Sequence, residues 1–217
     1  MSSEFGYIPE SPEQSFGNNK GIFTPTDIYD LTRADKFTQY GQLELIQTLS
    51  ADNSSQILAF DNVFSSTYDV YFITWSDYTP TNDENLIQLR LKNSSGEVSS
   101  GYHRATQEGN SSGSFSEVRS TSSDHIRIMG GGGNNTGENA NGYIYVYNPN
   151  DSSQFTFTSN QTFYIDQNAN PSMIFGSGVY ATAETVTGFL LKNISSGGTL
   201  GNINTLDVSL YGIKEYE

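Results

Sequence analysis

The sequence predicts an all-β protein: an antiparallel two-sheet, jelly-roll-like sandwich preceded by an extended N-terminal arm and one short helix. Three observations carry this expectation. Only 16 % of the 217 residues are charged while 13 % are aromatic, so Ser, Thr and Asn fill positions that helical proteins give to Glu, Lys and Ala. From about residue 42 onward, short apolar runs alternate with polar residues at period two. Turn clusters such as Asn93-Ser94-Ser95-Gly96, Asn148-Pro149-Asn150-Asp151 and Ser195-Ser196-Gly197-Gly198 punctuate these runs. About eight to ten strands in a region of this length suit a jelly roll better than a seven-strand immunoglobulin sandwich, with a closed barrel or another sandwich topology as alternatives. No fixed-period repeat supports a propeller or solenoid, and the aromatic content argues against disorder.

The chain divides into residues 1–39 and residues 40–217. The first part opens as a polar arm carrying Pro9, Pro12, Gly17 and Asn18, with no sustained hydrophobic period. Thr24-Pro25-Thr26-Asp27 then offers an N-cap, a proline at the first helical position and an acid three residues after the cap, so one short helix is expected over about 25–36. In the second part strands are expected at 43–46, 57–60, 68–75, 86–91, 100–106, 125–129 and 143–147. Further strands are expected at 155–158, 163–165, 173–175, 186–192 and 206–213. In Tyr143-Ile144-Tyr145-Val146-Tyr147 the two aliphatic residues face one way and the three tyrosines the other.

Composition also excludes functions. Ten Lys and Arg against 24 Asp and Glu leave a net charge of −14, which repels phosphate backbones and anionic lipid heads, so neither nucleic acid nor a membrane surface is an expected partner. The absence of cysteine rules out disulfides, thiolate metal sites and thiol nucleophiles. The start, MSSEFGYIPESPEQ, has no basic residue and no apolar run, so no secretory signal is expected, and no apolar run approaches the length of a membrane helix.

The motifs that suggest chemistry fail on their own terms. Gly130 to Gly142 is Gly-rich but holds neither Gly-Lys-Ser/Thr nor Gly-x-Gly-x-x-Gly opening a helix, so it reads as a mobile loop between strands. Gly109-Asn110-Ser111-Ser112-Gly113 matches the nucleophile elbow of hydrolases formally, yet its Ser-rich, strand-like flanks are not those of a strand–elbow–helix unit. His103 and His125 lack metal-ligand spacing, and acids such as Asp83 and Glu84 read as solvated loop residues. Asn-x-Ser/Thr triplets, as at Asn53 and Asn93, are expected by chance in this composition. Trp75 reads first as core and second as a sugar-stacking or oligomer contact. No catalytic residue, cofactor or metal is expected.

Three stretches together resemble structural proteins of tailed bacteriophages, particularly those of marine and cyanobacterial hosts. They are Asn18 to Leu31, Tyr68 to Leu91 followed by Ser99-Ser100-Gly101-Tyr102, and Ala183 to Phe189 leading to Asn202-Ile203-Asn204 and Val208-Ser209-Leu210-Tyr211-Gly212-Ile213. The resemblance implies a non-enzymatic virion component assembled in the bacterial host cytoplasm, in a tail fibre or appendage, with a host-surface glycan as a candidate attachment partner. Capsid decoration and a soluble carbohydrate-binding lectin are the alternatives, and a glycan depolymerase is disfavoured by the absence of repeats. The arm and helix then become a docking segment onto other virion proteins, with Ile22, Phe23, Ile28, Tyr29 and Leu31 as its apolar contacts. Tyr143, Tyr145 and Tyr147, with Trp75, are the expected oligomer or glycan contacts, and a homotrimer is the expected oligomer.

Overall fold

The computed structural model describes residues 14–15, 18–19, 24–34 and 42–214. The chain forms two compact units, Met1–Gly41 and Gln42–Glu217. In the first, β1 (Gln14–Ser15) pairs antiparallel with β2 (Asn18–Asn19), and α1 spans Pro25–Arg33. Its start follows from the sequence. Thr24 caps the helix by accepting from the Asp27 amide at 3.2 Å, the Asp27 carboxylate accepts the Thr24 amide at 2.8 Å, and Pro25 occupies a position that needs no donor. Arg33 in the last turn complements the helix dipole, and Ala34 ends it. No side chain of α1 is buried.

The second unit is a sandwich of two antiparallel sheets. Eight strands form the roll: β3 (Leu43–Ala51), β4 (Ile57–Phe60), β5 (Val70–Pro80), β6 (Leu86–Asn93), β10 (Ile126–Arg127), β11 (Ala140–Tyr147), β14 (Gly188–Ile194) and β15 (Ile203–Ile213). Successive members alternate between sheets except at the centre of the ribbon, where β6 and β10 share one sheet, and they pair outside-in: β3 with β15, β4 with β14, β5 with β11 and β6 with β10. This is a long antiparallel ribbon rolled into two layers, the jelly-roll topology. A two-residue strand β7 (Gly96–Glu97) turns back on β6.

Two hairpins are inserted into this roll. The first is β8 (Tyr102–Asn110) with β9 (Phe115–Ser123), and the second is β12 (Thr156–Ile165) with β13 (Pro171–Tyr180). Both join the same sheet, which grows to the order β3-β15-β5-β11-β12-β13-β8-β9, while the opposing sheet keeps β10-β6-β14-β4. The two layers are therefore unequal in width.

Where they overlap, the core is apolar and aromatic. Tyr71, Ile73 and Trp75 of β5 and Ile144 and Val146 of β11 face Phe60 of β4, Leu89 and Leu91 of β6 and Phe189 of β14. Phe60 and Phe189 stack with centroids 4.5 Å apart. The buried tyrosine hydroxyls are satisfied: Tyr78 donates to Asn193 Oδ1 at 3.0 Å, and Tyr102 donates to the Val98 carbonyl at 3.0 Å while accepting the Leu91 amide at 2.8 Å.

Beyond the overlap, β12 inverts the usual pattern. It buries Thr156, Thr158, Asn160 and Thr162 and turns Phe157 and Phe163 outward. That inversion is why the sequence reads as two short strands, 155–158 and 163–165, where one ten-residue strand exists. β9 has no apolar alternation and carries mostly exposed Ser, Glu and Arg, so period-two reading passes over it.

The inner polar layer includes His125. Its Nδ1 donates to Asp124 Oδ1 at 2.6 Å, and its Nε2 accepts from Arg104, which only donates. Burial pulls the imidazole down to about 4, the Arg104 charge acts in the same direction, and the Asp124 hydrogen bond opposes both. The folded state thus prefers neutral His125, so its contribution is complete above the ordinary histidine value of about 6.5 and is lost as pH falls from there to about 4. Chemical-denaturation curves across this window should lose about 2–3 kcal/mol from this group, and His125→Gln should flatten that part of the profile.

Candidate functional site

Two surfaces stand out, on opposite faces of the wide sheet. Its outer face carries a band of aromatic side chains. Phe72 of β5, Tyr143, Tyr145 and Tyr147 of β11, Phe157 of β12 and Phe175 of β13 point away from the core by the alternation of their strands. Phe72 lies 4.7 Å from Tyr145 and 6.3 Å from Tyr211 between ring centroids, and Tyr145 stacks on Tyr147 at 6.2 Å. Phe157, Phe163 and Phe175 are 45 %, 53 % and 42 % exposed. The outward-facing residues of β11, β12 and β13 include no charged side chain, in a chain whose net charge is −14. Charge depletion together with aromatic enrichment is the compositional mark of an interface core.

Phe115 on β9 has a local explanation instead. It lies over Gly109, its cross-strand partner, covering backbone that no side chain of the glycine protects.

The second surface is a polar cleft of about 530 Å³. It opens where the inner face of the inserted hairpins extends past the narrow sheet. In its lining, Arg127 Nη2 donates to both carboxylate oxygens of Glu108, at 2.9 and 3.2 Å, and Tyr164 donates to Glu108 Oε1 at 2.6 Å. Burial, then the bond to and charge of Glu108, hold the Tyr164 hydroxyl far above its ordinary value, so it remains a donor. Asp166 at the wall accepts the amides of Asn168 at 2.8 Å and Asn170 at 2.9 Å, which closes the β12–β13 turn. Glu84 enters from the β5–β6 connection.

The Gly-rich segment has a role different from the mobile loop the sequence suggests. Met129, Gly130, Gly132 and Gly133 are buried. The Gly132 amide donates to the Asn85 carbonyl at 2.9 Å, its carbonyl accepts the Glu84 amide at 3.1 Å, and the Gly133 amide donates to the Ile165 carbonyl at 3.0 Å. The segment is a strap bound to both layers. Gly130 must lack a side chain, because a Cβ there would collide with Glu108 Oε1 and the Tyr164 hydroxyl.

The sequence-derived candidates fall in different places. Trp75 is 2 % exposed inside the sandwich, so it is a core residue and cannot make a surface oligomer or glycan contact. It faces inward because its strand alternation puts it between Ile73 and Tyr78 in the buried set. Tyr143, Tyr145 and Tyr147 lie together on the outer face. On α1, Ile28 and Tyr29 are exposed and Leu31 is half-buried, while Ile22 and Phe23 lie outside the described residues. The Gly-x-Ser-x-Gly stretch forms the β8–β9 hairpin turn in an antiparallel sheet, without the helix that a nucleophile elbow requires. Among the described residues no group of three His, Asp or Glu is placed to hold a metal ion, and no helix is long and apolar enough to cross a membrane.

Sequence reasoning missed the cleft entirely. Glu108 of β8, Arg127 of β10, and Tyr164 and Asp166 at the end of β12 come from three separate segments without a shared motif, and the inserted hairpins bring them together. No family model and no curated protein matches the chain.

Gly130→Ala should force Glu108 and Tyr164 apart and lower stability by about 1–3 kcal/mol, read as a reduced thermal midpoint relative to the parent chain.

Proposed function

We propose that this protein is a non-enzymatic structural component of a bacteriophage virion, in a tail fibre or appendage, assembling as a homotrimer and contributing to host-surface attachment. The observation that carries the assembly part is the inverted strand β12, which buries threonines and exposes Phe157 and Phe163 beside the tyrosines of β11. A sheet face without charge and rich in aromatic rings is stable in water chiefly when another surface covers it. A second copy of the chain fits this role because the β11–β13 part of the face offers no charge to complement a charged partner, and like faces of a −14 chain approach each other most easily where charge is absent.

The virion part rests on the resemblance of Asn18 to Leu31, Tyr68 to Leu91 and the closing Leu210-Tyr211-Gly212-Ile213 to phage structural proteins. In this reading α1 and the arm dock onto a neighbouring virion protein, with exposed Ile28 and Tyr29 as contacts. A helix that buries none of its own side chains has its apolar residues available to a partner. Capsid decoration is the second reading of the same assembly chemistry, and a free lectin is the third.

Immunogold microscopy of intact phage, with antibody against residues 42–214, should place gold on tail fibres or the tail tip. Gold spread over the head would replace the appendage reading by decoration, and particles without gold would favour the free lectin. Deleting residues 1–36 should abolish incorporation into particles while leaving the sandwich folded, and retained incorporation would remove the docking role.

A further inference from the structure

We propose that the cleft at Glu108, Arg127 and Tyr164 is a binding site for a neutral saccharide. The proposal rests on the attachment part of the reading above and assigns it to a surface opposite the aromatic face.

The cleft volume of about 530 Å³ lies within the range of about 300–1,000 Å³ usual for small-ligand sites. Its lining selects the ligand by exclusion. Three carboxylates, Glu84, Glu108 and Asp166, face one guanidinium, that of Arg127, which is already engaged by Glu108. An anion would meet net negative charge. No trio of acids is placed for a metal among the described residues. An apolar ligand would strip water from carboxylates, amides and hydroxyls without replacing their hydrogen bonds.

A sugar has the complementary chemistry. Each hydroxyl both donates and accepts, so it can donate to a carboxylate and accept from an amide or hydroxyl of the same wall. The cleft supplies acceptors at Glu84, Glu108 and Asp166 and donors at Asn110, Gln167 and Ser114. Vicinal hydroxyls match the planar two-point geometry of carboxylate and amide groups. One acceptor is also fixed in advance. Glu108 is held from two sides by Arg127 and Tyr164, and Gly130 packs against that pair without a side chain in the way. A polar group immobilised before binding loses little entropy when the ligand arrives. The rim is supplied by two hairpin ends, at Asn110 to Ser114 and at Gln167 to Asn168.

The test uses the purified full chain with neutral monosaccharides and their disaccharides, glucose, galactose, mannose and N-acetylglucosamine, at about 10 mM, a range suited to weak single-site binding. Saturation-transfer NMR detects contact and calorimetry gives the affinity. Sialic acid, spermidine and calcium serve as contrasting probes. At least one neutral sugar should bind saturably, with affinity reduced at least about tenfold by Glu108→Gln and, at unchanged thermal midpoint, by Ser116→Trp. Ser116 is exposed on β9, lines the cleft and lies directly across the β8–β9 ladder from Glu108, so Ser116→Trp fills the space beside the clamp while leaving the carboxylate, guanidinium and hydroxyl that form it in place, and decides the matter if Glu108→Gln fails to fold. Absence of sugar binding, binding of only a contrasting probe, or sugar binding that both folded variants retain would overturn the proposal. Gold labelling of particles is read independently, so a virion protein without a sugar site and a sugar-binding protein outside the virion give distinct results.

Discussion

The organising constraint of this fold is the unequal width of its two sheets. A rolled antiparallel ribbon alone is balanced, with β3, β15, β5 and β11 covering β4, β14, β6 and β10. Inserting two hairpins into one layer adds β8, β9, β12 and β13 to the wide sheet and nothing to the narrow one. A sheet face must be covered or be polar, because uncovered apolar surface costs about 25 cal/mol per Å². The extension meets this requirement with inward threonines, with β10 laid over it and with the glycine strap. The polar cleft remains at their edge, with Arg127 of β10 and Gly131 of the strap in its lining.

The polar layer holds these parts in register. Thr162 donates to the Ile128 carbonyl at 2.6 Å, Thr158 donates to the Gly178 carbonyl at 3.3 Å, and Ser123 donates to the His125 carbonyl at 2.8 Å. Each such bond is worth about 1 kcal/mol net, but leaving one of these buried groups unpaired costs more. The layer therefore specifies how the segment around β10 sits more than it stabilises the fold. Asn160 and Thr156 are exceptions in this layer, buried with both amide atoms of Asn160 and the Thr156 hydroxyl lacking a protein partner.

Much of the roll was legible in the sequence because its strands bury aliphatic residues at period two. The strand at Ile57–Phe60 is bounded as the sequence suggests, and Ile144 and Val146 face inward with Tyr143, Tyr145 and Tyr147 outward. Legibility failed where burial and polarity part company. In β12 the buried positions are threonine and asparagine, so the hydrophobic pattern points to the wrong face. In Gly130 to Gly133 the glycines mark close approach to Glu108, Tyr164 and Glu138 rather than freedom. Trp75 was ambiguous because a single tryptophan near a strand end carries no periodicity of its own. The cleft had no local signal, since long-range insertion creates it.

The aromatic face runs from the roll strands β5 and β11 onto the inserted β12 and β13, and the cleft lies under the inner overhang; in the proposed reading the first serves assembly and the second recognition. The central claim is that the aromatic face is buried between copies. Sedimentation velocity on the full chain and on Tyr145→Glu tests it most directly. The account predicts a species of three times the 23.8 kDa chain mass for the parent and a folded monomer for the variant. A parent chain that remains monomeric at high concentration, or a trimer that Tyr145→Glu leaves intact, would contradict it.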